Sequence, residues 1–172
     1  MAKLHERRPA RTYTTGAVTK WLRWLALLGF AAVTVWVALS YASMLDTVPT
    51  HFGLDGQADG FGEKSSVLWL AAVMTGLGLL MAWLSTKPRH LNYVSEITEQ
   101  NAQHVYREGE RMLVWMLLPL LGVYCSFVLG ALGFESVWLV VLSLIALPVL
   151  TITSLARMGA ASSTKAEADP DS

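Results

Sequence analysis

The sequence predicts an all-α integral membrane protein. It should have four transmembrane helices, both termini on the cytoplasmic side, one ordered extracytoplasmic loop and one amphipathic cytoplasmic connector helix. Three observations predict this. Residues 24–45, 65–86, 112–134 and 136–156 contain no charged side chain and no histidine, and a helix of about 20 residues crosses roughly 30 Å of hydrocarbon. The chain is 53% hydrophobic and only 15% charged, whereas the buried helices of soluble domains keep a polar stripe. Finally, 12 of the 13 Lys and Arg residues fall on one side of the four windows.

The first span, 22–43, shows the energetics. Leu25, Leu27, Leu28, Phe30, Val33, Val35, Val37 and Leu39 together favour insertion by about 3–4 kcal/mol, and a single central Arg or Asp would nearly cancel that. Residues 1–20 form a basic tail whose Lys and Arg residues keep that side cytoplasmic. A signal peptide has an apolar region of about 7–15 residues. The longer run here predicts an uncleaved membrane anchor with its N-terminus at or near Met1.

Residues 44–64 form the extracytoplasmic loop and carry only one basic residue, Lys64. Pro49 ends any extension of the first helix. Asp55-Gly56 and Asp59-Gly60 are turn signals, and Phe52 and Phe61 can dip into the interface or cap the bundle. The loop therefore reads as a defined, repeatedly turning structure, and the candidate ligand- or partner-binding residues are Pro49, His51, Phe52, Asp55, Gly56, Asp59, Gly60 and Lys64. Asp55, Gln57, Asp59 and Glu63 imitate the start of a calcium loop. Its twelfth position, however, would be Ser66 where a bidentate Glu is needed, and the His51 spacing fits no standard zinc site. No metal and no cofactor are expected.

The second span is 65–86, and residues 87–111 form the inner connector. Its stretch 95–111 suits a helix lying on the inner membrane surface or running on into span three. Ser95 is its candidate cap, and Val94, Ile97, Val105 and Met112 give it an apolar stripe. Asn101 is its candidate functional residue. The third and fourth spans, 112–133 and 136–156, are joined by so short a link that they must form an antiparallel hairpin. Small residues at four-residue spacing allow helices to approach closely; Ala72 and Gly76, then Gly78 and Ala82, on span two and Gly122, Ser126 and Gly130 on span three are the candidate packing positions. Trp21, Trp24, Tyr41, Trp69, Trp83, Trp115 and Trp138 mark the window ends as an aromatic belt does, whereas Trp36 is deeper and reads as a packing residue. Pro119 and Pro148 fall inside spans three and four. Residues 1–15 and the tail 158–172 read as disordered.

The loop motif Pro49-Thr50-His51-Phe52, followed by Gly56, Asp59, Gly60 and Lys64, resembles that of a bacterial membrane family defined by a domain of unknown function. Its best-known members are the SdpI-like immunity and signal-transduction proteins. Asn92-Tyr93, Thr98 to Asn101 and Tyr106 to Leu113 extend the resemblance over roughly residues 20–130. It implies residence in the bacterial cytoplasmic membrane and a role in immunity to a secreted peptide toxin, or in signalling. Immunity-type members carry further spans that this chain lacks.

The residues themselves favour a small membrane binding or accessory protein. No intramembrane ionisable group marks a proton or ion path, so a passive transporter ranks behind both readings. No phosphate loop, nucleophile elbow or zinc-hydrolase motif occurs, so no enzyme is expected. The expected partners are the bilayer and another membrane protein or an extracytoplasmic peptide, with no nucleic acid.

Overall fold

The computed structural model describes residues 8–53, 57–94, 96–134 and 136–166. Four helices are long and apolar enough to cross a membrane: α1 (Ala17–Ser40), α2 (Ser65–Ser85), α3 (Ala102–Ala131) and α4 (Val137–Ala166). Between α1 and α2 the chain forms two antiparallel strands, β1 (Thr47–Phe52) and β2 (Ala58–Glu63). The architecture is therefore not purely α-helical. Short 3-10 turns follow α1 at Tyr41–Ser43 and α2 at Pro88–His90.

The core is a three-helix affair. Ala26, Phe30, Val33 and Val37 of α1 meet Val67, Ala71, Met74 and Ala82 of α2 and Leu117, Tyr124 and Val128 of α3. Lipid tails are as apolar as these side chains, so close approach and hydrogen bonds must hold the helices together. Both are present. Thr34 Oγ1 lies 2.6 Å from Thr75 Oγ1 and 3.2 Å from Tyr124 Oη, which links all three helices in mid-span. The Phe30 and Tyr124 rings stack at 6.1 Å. Gly78 lets the Phe30 ring lie against α2, because a Cβ there would stand 2.9 Å from that ring.

The small-residue positions divide. Gly76 faces outward with nothing within 4 Å of its would-be Cβ, so it is not a packing position; Gly78, two residues on, takes that role. Gly122 does pack, since a Cβ there would collide with Ser143 of α4. Ser126 Oγ donates to Ser136 O at 2.8 Å, and Ser136 Oγ donates back to Ser126 O at 2.8 Å. This reciprocal clasp, with Gly133 at φ 82°, closes the α3–α4 hairpin beside the buried Gly130; Glu135 lies outside the described residues. Pro119 and Pro148 sit inside continuous helices. Trp36 is 40% exposed on α1 and so does not pack into the core as expected. The other six tryptophans are also exposed.

Two expectations about the connector and tails need correction. Among the described residues no connector helix forms apart from span three: α-helix begins only at Ala102 and is continuous with that span, the second of the two readings, rather than starting at residue 95. Val94 of the expected stripe is 93% exposed. Ser95 lies outside the described residues, and the cap position belongs to Asn101. Its side chain folds the preceding turn, accepting from Thr98 N at 2.9 Å and donating to Glu96 O at 2.9 Å. This is the local Asx chemistry that competes with helix, and it fixes the helix start at Ala102, eight residues beyond Val94. At the termini, residues 8–15 are not a loose tail but pack along α3. Arg8 Nη1 donates to Arg89 O and Leu91 O at 3.0 and 2.7 Å, Thr12 N to Gln103 Oε1 at 2.8 Å, and Gln103 Nε2 to Ala10 O at 2.7 Å. At the other terminus, α4 continues through Ala166 rather than giving way at 158.

The two α2 glycines make a paired test. Gly78→Ala should lower the melting temperature of the detergent-solubilised protein, with overpacking costing about 1–3 kcal/mol. Gly76→Ala should leave it unchanged or raise it slightly, as Ala in an open helix position does.

Candidate functional site

The two ends of the bundle carry its polar chemistry. At one end, the hairpin rests on the core through Val48, which is 1% exposed, and Met44, which is 7% exposed. Pro49 lies within β1 opposite Phe61. It does not terminate α1, which has already ended by Ser43; a two-stranded ribbon has edges that tolerate a residue lacking an N–H. The register shifts between Pro49 and His51 and again before Phe52, so the ribbon is bulged and bends. Along β2, Ala58, Gly60 and Gly62 are half-buried while Asp59, Phe61 and Glu63 are exposed. Gly60 gives His51 room, since a Cβ there would stand 2.9 Å from His51 Cβ.

Lys64 fastens the base of this hairpin. Its Nζ lies 2.8 Å from Asp46 Oδ1 and 5.5 Å from the centre of the Tyr41 ring, and its N–H donates to Asp46 O at 3.0 Å. The hydrogen bond from Lys64, with its charge, holds the Asp46 carboxyl below the usual carboxylate range. The same bond holds the Lys64 ammonium above its usual value. His51 Nδ1 pairs with Asp59 Oδ1 across the strands, both side chains more than half exposed. Of the sequence-predicted loop residues, the structure thus brings His51, Asp59 and Gly60 together and sets Lys64 apart as the clamp. Asp55 and Gly56 lie outside the described residues, as does the Phe52 side chain. Among the described residues no three His, Cys, Asp or Glu side chains cluster as a metal site requires.

The other end holds a group that sequence reasoning missed. Glu110, only 1% exposed, receives four donors. Thr15 Oγ1 stands 2.7 Å and Arg23 Nη2 2.6 Å from its Oε1, while Tyr13 Oη stands 2.8 Å and Arg11 Nη2 3.2 Å from its Oε2. Removing a carboxylate from water costs several kcal/mol, and two guanidiniums with two hydroxyls are the surroundings that offset it. Burial, and after it the hydrogen bond to Glu110, pushes the Tyr13 phenol above its ordinary range. Tyr93, raised chiefly by burial, donates to Pro88 O at 2.9 Å. It lies over Gly109, whose would-be Cβ falls 2.6 Å from Tyr93 Oη. The signal was available in the sequence: Tyr106, Glu110, Val114 and Leu117 share one helical face, which places an acid on an otherwise apolar stripe.

This fold defines a small multi-pass membrane protein. Within it, residues 28–75 match the model of a domain of unknown function, DUF1648. The matched stretch comprises the second half of α1, the hairpin and the first half of α2, less than a third of the chain. An uncharacterized protein of Archaeoglobus fulgidus is 39% identical over 51 residues, 30% of this chain and 28% of the relative. The alignment thus covers well under a third of that relative's length. No solved structure matches.

Two substitutions probe the two ends. Glu110→Ala strands two arginines in a buried setting and should cost about 3–5 kcal/mol, read as a lower melting temperature. At the hairpin, the depressed Asp46 value means that its contribution is complete above the ordinary carboxylate range and lost as pH falls through its own lowered value. The protection factor of the Lys64 amide, its exchange rate relative to an unstructured peptide at the same pH, should therefore fall on acidification in the native protein and change less in Asp46→Asn.

Proposed function

We propose that the protein is an integral-membrane binding or accessory subunit whose hairpin faces away from the cytoplasm and engages an extracytoplasmic ligand or membrane partner. The observation that carries this reading is the hairpin's construction. It is anchored from beneath by Val48 and at its base by Lys64, Asp46 and Tyr41, yet it presents His51, Asp59 and the 62%-exposed Phe61 beyond the bundle. A polar loop with no recognition role has no need of such support, whereas preorganisation lowers the ordering cost of binding. The orientation follows from the basic residues gathered at the opposite end.

A photocrosslinker installed at residue 61 in the native membrane tests the reading. A discrete crosslinked protein or peptide, weakened by His51→Ala, is the expected product; capture of lipid alone would overturn it. A cysteine at residue 58 should react with an impermeant thiol reagent in intact cells. Reaction only after lysis would reverse the orientation.

A further inference from the structure

We infer that the basic end of the bundle is an anion site for a phosphate-bearing headgroup or ester. The site is a cavity of about 220 Å³ between Arg107 and Arg111 of α3, Tyr13, and the start of α1 at Gly16 and Thr19. It lies at the opposite end of the molecule from the hairpin and is independent of the hairpin's role.

The charge balance of its walls is positive. Glu110, the acid in its lining, has both oxygens engaged by Thr15, Tyr13 and two guanidiniums. Arg111 is tied to Glu108 at 2.7 Å and lies on the same helical face as Arg107, one turn away. Arg107 rests 5.1 Å from the Tyr13 ring centre and has no acidic partner among the described residues. The ring contact leaves its planar fork free for the paired hydrogen bonds that phosphate oxygens accept.

The start of α1 adds to this field. No side chain caps the helix at Gly16, and nothing stands within 4 Å of the position a Cβ would occupy there. With Gly16 and Thr19 in the cavity lining, the positive end of the helix dipole adds to the field of the two arginines, which favours an anion.

Size and depth point to the ligand class. Pockets for drug-sized molecules run to about 300–1,000 Å³; this smaller volume suits one phosphate group and its ester stem. Trp21 and Trp24, 75% and 62% exposed, set the interface level as tryptophans do. Gly16 precedes Trp21 by five residues, about 7.5 Å along the helix axis. The cavity thus opens at headgroup depth, where both a lipid phosphodiester and a soluble phosphate can reach it.

Full-length protein, delipidated in neutral detergent and monodisperse by gel filtration, is titrated with short-chain phosphatidylglycerol, phosphatidylcholine and inorganic phosphate, with binding read by native mass spectrometry. The expected result is saturable phosphatidylglycerol binding, with phosphatidylcholine much weaker. Affinity should fall at least about tenfold in R107Q/R111Q and hold in Lys87→Gln, which removes a basic charge outside the cavity wall. If the double variant does not fold, R107Q alone at its exposed position and the charge-preserving R107K/R111K carry the comparison, each weaker than wild type. Inorganic phosphate binding with the same arginine dependence, and no phosphatidylglycerol binding, upholds the site and assigns its ligand to the soluble phase. Equal loss in Lys87→Gln and the arginine variants, wild-type affinity in R107Q, or binding of neither probe overturns the inference.

Discussion

Placing one carboxylate in a nearly dry position determines how one end of this molecule is built. Glu110 sits on the buried face of α3, and its desolvation is tolerable only because Arg11, Tyr13, Thr15 and Arg23 converge on it. Those four residues lie before and within the start of α1, so satisfying one side chain fixes the course of residues 11–15 and the angle at which α1 leaves them. The hydrogen bonds of Arg8, Thr12 and Gln103 then follow the same path along α3. The site of phosphate recognition is a by-product of this arrangement: the donors that neutralise Glu110 also prevent it from repelling an anion beside it.

The middle of the bundle obeys a different rule. There no charge needs satisfying, and packing relies on shape and hydroxyls. Gly78 admits Phe30, Thr34 joins Thr75 and Tyr124, and the Ser126–Ser136 clasp turns α3 into α4. The hydroxyl contacts among them gain value because hydrocarbon offers polar groups no alternative partner. The chain therefore has a dry, hydroxyl-pinned centre between two polar ends, one held by ion pairs from distant segments and one by the local clamp of Lys64 on Asp46.

What could be read from the sequence divides along the same line. The four spans were legible because hydrophobic length is a property of continuous sequence, and charge-free runs need no tertiary knowledge. The loop's turning character was legible from its glycines and Pro49, but its strands were not. Ribbon pairing depends on register between residues 47–52 and 58–63, and the half-buried Gly60 and Gly62 carry no hydrophobic signal of strand. Gly76 and Gly78 looked alike by spacing, and only the rotation of α2 against Phe30 distinguishes them. Glu110 was concealed for a related reason. Near a span, charged residues read as markers of sidedness, and the partners that bury this one come from almost a hundred residues earlier in the chain. Val94 misled in the opposite direction: an apolar residue at helical spacing remained outside because Asn101 and Thr98 held the preceding backbone in a turn.

The fourth helix contributes none of the buried cluster shared by α1, α2 and α3, and Leu142, Leu144, Ile145, Val149 and Ile152 along it remain uncovered by the rest of the chain. It packs chiefly along α3, through the close approach of Gly122 to Ser143 and the Ser126–Ser136 clasp, rather than through the shared interior. The first three helices and their ribbon thus share the interior, and α4 is an outrigger lashed along α3, its outward flank free to diverge in sequence without disturbing the parts it leans upon.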